Sequence, residues 1–367
     1  MANSYYNTIK DPSTFVQKGR GKANFTALCR AGDWESAASK WDSKQLFASR
    51  VLCSAPNQRL PLFSGFFPQS PRGINPCIDS LIDGPRSVAA LAQMSEPQLV
   101  RQYEPDSLGY VWAALAHFVR ANTNPASAAS TRAPSNRATN IPDRYGNYAP
   151  SNQPIGSSPP RPPSSESDST PLLEDATVRL ASCFTRCVLN YAQPPNKSGP
   201  FVQFRDERLT SSYSLDPTHS IRAIDDGGVQ LYRETGAVAQ VAQLEGKRTF
   251  NTIIDGRPVV TDGLLAQMVG EALALRRDKV RDVISPEHII TILATAHYVS
   301  FFHFHITDDF LSEFEELSTS DSNPASFLRV DSTRWFDIKM PDQRHQIVSH
   351  LLALIAMADY YVVAAAE

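Results

Sequence analysis

Two stretches of the chain repeat apolar residues at helical spacing. In "SLGYVWAALAHFVRAN", Leu108, Val111, Trp112, Leu115, Phe118 and Val119 fall on one face, as in an amphipathic helix. Asp106 or Ser107 can cap its start. In "EDATVRLASCFTRCVLNYA", Leu180, Cys183, Phe184, Cys187, Val188 and Tyr191 form a second stripe. Both cysteines then serve as small core residues. Upstream, "ANFTALCRAGDWESAASKWDSKQLFASRVLC" reads as two or three short helices broken near Gly32, and "LPLFSGFFPQSPRG" as an aromatic, Pro-bounded loop.

From Phe201 to Val260 the period shortens. "FVQF", "VQLY", "AVAQVAQL" and "RTFNTII" alternate or are rich in β-formers, and "DDGG" (Asp225 to Gly228) and "DG" (Asp255, Gly256) signal turns. Pro258 suits an edge or a strand start. A small antiparallel sheet or ribbon is expected. The pattern then turns helical again. "TDGLLAQMVGEALALRRDKV" places Leu264, Leu265, Met268, Ala272 and Leu275 on one side. "SPEHIITILATAHYVSFF" is read as a helix capped by Ser285 with Pro286 in its first turn. "TDDFLSEFEEL" starts at Thr307, its acids favoured at a helix start, with Phe310, Phe314 and Leu317 as its face. The last helix, "PDQRHQIVSHLLALIAMADYYVVAAAE", is apolar nearly all round and must be buried on most sides.

The resulting fold class is α+β: mainly α with a small antiparallel β element, its helical bundle regions separated by a disordered Pro/Ser-rich tract. The expected organisation is an N-terminal helical region over 1–121, a Pro/Ser/Ala-rich linker over 122–172, and a C-terminal α+β region over 173–367. The last comprises a β ribbon (201–260) and a helical bundle (262–367). The linker has few large apolar residues with which to offset the entropy of ordering it. Its "SPPRPP" (residues 158–163) could dock an SH3-like partner, although a stiff spacer explains it as well.

With 367 residues, 42% of them hydrophobic, the chain can build real cores. The polar start predicts no signal peptide. The most apolar segment, near the C-terminus, is interrupted by Asp359 and predicts a buried helix rather than a membrane span. Five cysteines (Cys29, Cys53, Cys77, Cys183, Cys187) lack C-x-x-C spacing and are expected to be reduced. The net charge of −3 conceals a split. Residues 1–172 carry 17 Lys and Arg against 12 Asp and Glu, and residues 173–367 carry 18 against 26. The basic part suits a polyanion, or the acidic part of a second copy.

The densest candidate chemistry is "HYVSFFHFHITDDF" (His297 to Phe310). His303 and His305 are candidate metal ligands: on a strand they share a face, on a helix they point about 200° apart. With helical signals on both sides, the expected picture is a helix end packed through Phe301, Phe302 and Phe304. Candidate phosphate contacts are Lys18, Arg20 and Lys22 in "QKGRGKANF", and Arg276, Arg277, Lys279 and Arg281 in "RRDKVRD". Each group also has a plain reading, the first as a solvated loop and the second as cations at a helix C-terminus. No G-x-S-x-G elbow, H-E-x-x-H, dinucleotide fingerprint or kinase motif set is present. No catalytic residue and no cofactor is therefore assigned.

The function expected on these grounds is that of a non-enzymatic, self-assembling structural protein. Its most specific form is a coat or nucleocapsid-type subunit that binds RNA without reading its sequence. The expected setting is cytoplasmic, or a virion, and the expected partners are further copies of the chain and RNA. Two alternatives stand beside it: an adaptor or regulator working through the Pro-rich tract, and a metal-dependent enzyme with its site around His303 and His305.

Overall fold

The computed structural model describes residues 4–32, 35–123, 174–247, 253–254, 257–315, 324 and 326–364. The Pro/Ser-rich tract lies outside them except at its start, where residues 122 and 123 close a helix. The SH3-like motif at 158–163 also lies outside.

The organising element is a nine-stranded mixed sheet. In chain order its strands are β1 (Val51–Cys53), β2 (Phe201–Arg205), β5 (Gly228–Tyr232), β6 (Val238–Lys247), β9 (Asp282–Val283), β10 (His288–Thr295), β11 (Tyr298–His305), β12 (Leu328–Ser332) and β13 (Phe336–Asp337). Two-stranded pairs are made by β3 (Thr210–Ser214) with β4 (Ser220–Ile224), and by β7 (Ile253–Ile254) with β8 (Arg257–Pro258). The main order is β1-β12-β11-β10-β6-β5-β2, with β13 on β11 and β9 on β6. Strand β6 pairs antiparallel with β5 but parallel with β10, and β1 is parallel to β12.

This sheet overturns the expected mainly-α class and its small antiparallel element. The sheet draws β1 from the expected N-terminal helical region, and β9 to β13 from the expected helical bundle; residues 288–305 are a hairpin, not a helix and a helix end. Thr295 faces Tyr298 across its turn, where Ala296 adopts a φ of 53°. Ile289, Ile290, Thr291, Ile292, Thr295 and Val299 are β-branched, and helices cover both faces of these strands. A strand buried on both faces reads as a continuous apolar run, without the alternation that betrays a half-exposed one. Ser285 and Pro286 imitate a helix start, but the Ser285 carbonyl accepts from the His288 N–H in a turn.

Helices α5 (Pro76–Asp83), α7 (Asp106–Thr123), α8 (Glu174–Ala192) and α11 (Pro341–Ala364) cover one face. That face presents Ala242, Leu244, Ile290, Ile292, Val299 and Phe301. The other face presents Ile289, Leu293, Phe302, Phe304, Leu328 and Val330. It is covered by α9 (Asp262–Arg276), α10 (Asp308–Glu315) and the N-terminal helices α1 (Tyr5–Thr8), α2 (Pro12–Gly19), α3 (Phe25–Ala31) and α4 (Ser43–Ala48). A short α6 (Glu96–Gln102) precedes α7.

The apolar stripes predicted for α7 and α8 face the core: Trp112, Leu115, Leu180, Phe184 and Val188 are buried. Thr307 caps α10 as expected, its hydroxyl accepting from the Phe310 N–H at 3.2 Å. Helix α11 is long and apolar enough to cross a membrane, but 61% of its most apolar stretch is buried within the protein. Arg344 anchors it from inside. The guanidinium donates to the carbonyls of Ile82, Asp83 and Ile338 at 2.8–3.0 Å and lies over the Trp112 ring.

Candidate functional site

Strand β6 carries the least expected feature of the core: an acid and a lysine at its end, "LEGK". Between β5 and β6 the register skips Val241, pairing Val229 with Ala242 and Gln230 with Gln240. Such a bulge re-aims the side chains that follow it. Ala242 and Leu244 thereby join the α8 side, and alternation turns Gln243, Glu245 and Lys247 toward α9. Glu245 is 1% exposed.

Above them α9 supplies Gln267 and Glu271, one turn apart. Gln267 Nε2 donates to Glu245 Oε1 and to Glu271 Oε1, each at 2.7 Å. The Lys247 ammonium pairs with the same Glu245 oxygen. Asp226 enters from the turn between β4 and β5. Its own N–H donates to the Leu244 carbonyl at 3.0 Å, and its Oδ2 accepts from the Gly246 N–H at 3.0 Å. Arg208, half-exposed, reaches its Oδ1 at 3.2 Å. Gly246 admits no side chain, because a Cβ there would lie 2.5 Å from Val178 Cγ2 of α8. The neighbouring Asp225 has a structural partner, as Arg205 bridges it through two nitrogens at 2.6 and 3.2 Å.

The seam is not fully satisfied. Gln243 Oε1, Glu245 Oε2, Glu271 Oε2, Thr291 Oγ1 and Thr295 Oγ1 are buried and find no hydrogen-bond partner in the protein. Thr291 pairs with Gln243, and Thr295 with Lys247, across β6 and β10, so these five atoms belong to one polar strip. Such groups call for a partner from outside the protein, ordered water included.

Burial pushes the Glu245 carboxyl up to about 7, against the pull of Lys247 and with help from Asp226. Burial, reinforced by Glu245, lifts Glu271 well above the carboxylate range. Burial pulls the Lys247 ammonium down, but Glu245 and Glu271 outweigh it and hold it above its ordinary value. Perturbed carboxyls sharing one lysine occur at functional sites and in structural ion-pair networks alike.

A second polar group sits at the other end of the central strands. The hairpin places His303 and His305 on one strand face and His288 directly opposite His305. His288 Nδ1 and His303 Nε2 share a hydrogen bond of 2.9 Å, and the His288 and His305 rings stack at 4.9 Å. Asp331 lies 3.4 Å from His303 Nδ1, and Glu287 lies 4.0 Å from His305 Nε2. Burial, then repulsion from His303 and His305, pulls His288 down to about 4. Burial and His303 likewise lower His305. His297 is set apart, bonded to Asp337 at 2.8 Å. Among the described residues, no three His, Cys, Asp or Glu side chains converge as a ready-made metal cage.

The predicted basic groups lie elsewhere. Lys18, Arg20 and Lys22 are at the end of α2 and just beyond it, with the Lys22 ammonium over the Phe47 ring. At the end of α9, Arg276 pairs with Asp308, Arg277 lies over Tyr213, and Arg281 donates to the Thr210 carbonyl; Lys279 is exposed. Asp226 stands out in the sequence only as part of a turn signal, and Glu245, Lys247, Gln267 and Glu271 match no motif. One signal was available: charged residues two apart at the end of an otherwise uncharged strand, and a glutamine and glutamate one turn apart on a helix with apolar residues on every side. No protein family matches the chain, and neither a curated protein nor a solved structure does.

Proposed function

We propose that Asp226, Glu245 and Lys247 are the centre of a divalent-cation-assisted phosphoester hydrolase. The observation that carries this reading is the buried Glu245–Lys247 pair on one strand face, with Asp226 tied to the glycine between them. Magnesium is held by one or two carboxylates, the rest of its shell being water and substrate phosphate. Glu245 and Asp226, whose charges act on each other, would supply those carboxylates. A cation there would polarise the phosphoryl group and lower the pKa of an attacking water. Lys247 would stabilise the charge that develops on the phosphate oxygens. Water forms the new P–O bond, the ester P–O bond breaks, and the leaving oxygen departs as an alcohol. Glu271 and Gln267 position Glu245 from behind.

Nucleic-acid strands are the first substrates to test, since half-exposed Arg208 stands beside Asp226 as a phosphate contact. The test is hydrolysis of labelled single- and double-stranded DNA and RNA with Mg²⁺ or Mn²⁺, with calorimetric titration of the cation alone. Cation-dependent cleavage lost in Lys247→Ala is expected; no cleavage and no cation binding by the wild type would overturn the reading. The assembly expectation drew on the charge split, the Pro/Ser-rich tract and the missing catalytic motifs as well as the apolar last helix, 61% of whose most apolar stretch is buried within its own chain. Light scattering with an absorbance ratio after nuclease treatment tests packaging separately.

A further inference from the structure

Cys77 and Cys187, 110 residues apart in sequence, meet in the core. Cys77 lies in the first turn of α5, where the Asn75 side chain accepts from its N–H at 2.9 Å. Cys187 belongs to the buried stripe of α8. Their Sγ atoms are 3.6 Å apart, and Ser107, in the first turn of α7, directs its hydroxyl at Cys187 Sγ from 4.0 Å. Cys187 is fully buried, whereas Cys77 retains 6% exposure. It does so on the wall of a cleft of about 740 Å³ that also involves Ser80, Asp106, Ser107 and Tyr191. Cys77 is thus the less deeply buried of the two, and Cys187 stands directly behind it. We propose that Cys77 and Cys187 form a peroxide-responsive modification site in which Cys77 is oxidised first and Cys187 resolves it as a disulfide.

The chemistry needs no group beyond the oxidant. The Cys77 thiolate attacks one oxygen of hydrogen peroxide, the O–O bond breaks, and hydroxide leaves, giving a sulfenic acid. The Cys187 thiol gives up its proton and attacks that sulfur. An S–S bond forms, the S–O bond breaks, and the oxygen leaves as water. Two thiols and one peroxide become one disulfide and two waters. The order follows from exposure and from acidity. The contact with Cys187 Sγ holds the Cys77 thiol below its ordinary value, and the start of α5 favours a thiolate as well. That same contact, then burial, raises Cys187. The sulfurs must close from 3.6 Å to about 2.05 Å.

The full-length protein is treated with a modest excess of hydrogen peroxide, alkylated and digested. Expected are joint loss of the Cys77 and Cys187 alkylation products, a reductant-sensitive peptide containing both residues, and a mass lower by two hydrogens. Cys183, one turn earlier on α8 and more exposed, stays alkylatable. In Cys187→Ser the reaction stops at a sulfenic acid on Cys77 that dimedone traps. Full alkylation of both residues in peroxide-treated, still-folded protein would overturn the proposal. So would oxidation of Cys183 in place of the pair.

Discussion

The central strands carry two polar inclusions, and burial drives them in opposite directions. Around Glu245 and Glu271 it favours uptake of a proton, so the acids resist the charge that water would give them. Around His288 and His305 it favours loss of one. His288 and His303 share a hydrogen bond, although His303 Nδ1, like one oxygen of each acid, finds no partner in the protein. The acids differ in kind: both are carboxyls, and they share one lysine. A cation would relieve the first group and would have to compete with existing hydrogen bonds in the second. That contrast is why chemistry is placed at the acids, although the histidines stand out in the sequence.

The largest expected effect tests that placement. Lys247→Met leaves Glu245 and Glu271 buried beside each other without their cation, which costs about 3–5 kcal/mol where both stay ionised. The cost must grow with pH. Glu245 has a folded-state pKa near 7, above its unfolded value, so its contribution is complete below the unfolded pKa and is lost as pH rises through about 7. Urea denaturation of this variant at pH 5.5 and pH 8 should show a far larger deficit at pH 8; equal deficits would mean that the acids do not depend on the lysine. Glu245→Gln should separate chemistry from folding. It removes a buried charge and keeps the side-chain shape, so its melting temperature at pH 8 should be no lower than the wild type's. Hydrolysis should fall about 10²–10³-fold. His303→Gln should leave hydrolysis unchanged, and a comparable fall there would move the site to the histidines.

The sequence disclosed the elements that keep one face toward water or a partial polar face. Leu180, Phe184 and Val188 recur every three or four residues because the far side of α8 carries Arg179, Ser182 and Arg186. Thr307 and two aspartates announced α10. It concealed the β10–β11 hairpin, which is covered on both sides, and the orientation of helix α9. Strands β10 and β11 lose alternation for that reason. Helix α9 has Leu264, Leu265, Ala266, Met268, Val269 and Leu273 buried around most of its circumference, so periodicity could not say which side met the sheet. The candidate site was hidden for a related reason. Asp226 comes from a turn, Glu245 and Lys247 from a strand, Glu271 from a helix, and only the sheet register and the bulge at Val241 bring them together. His303 and His305 could be weighed as a pair, but the partner that defines their group, His288, required the hairpin.

Acid brings out the histidine side of the contrast, and His350 gives it a calibrated reference. Its ring is fully buried among Phe63, Phe67, Phe301 and Phe336. Nε2 accepts from the Leu60 N–H at 3.2 Å, and Nδ1 donates to the Gln346 carbonyl at 2.7 Å. This is one neutral tautomer with no place for a second proton, and burial pulls its pKa down to about 4. A base depressed in the folded state stabilises fully above its unfolded pKa of about 6.5 and loses that contribution as pH falls toward 4. For His350 the loss is at most about 3 kcal/mol. His288 adds a smaller loss over the same window, since solvent screens a half-buried ring. The His350 and His288 contributions should therefore decline from pH 6.5 to pH 4, against the gain that Glu245 makes as pH falls below about 7. His288→Gln should flatten part of that slope while leaving the high-pH behaviour governed by Glu245 untouched. The opposite flank gives the smallest effect. Saturating Mg²⁺ or Mn²⁺ at 100 times its Kd raises stability by about 2.7 kcal/mol. The gain should be full at pH 8, where the acids are ready to ionise, and reduced at pH 6, where protons hold the site. A cation effect that is independent of pH, or that vanishes in His288→Gln but survives in Glu245→Gln, would reverse the roles assigned to the two inclusions.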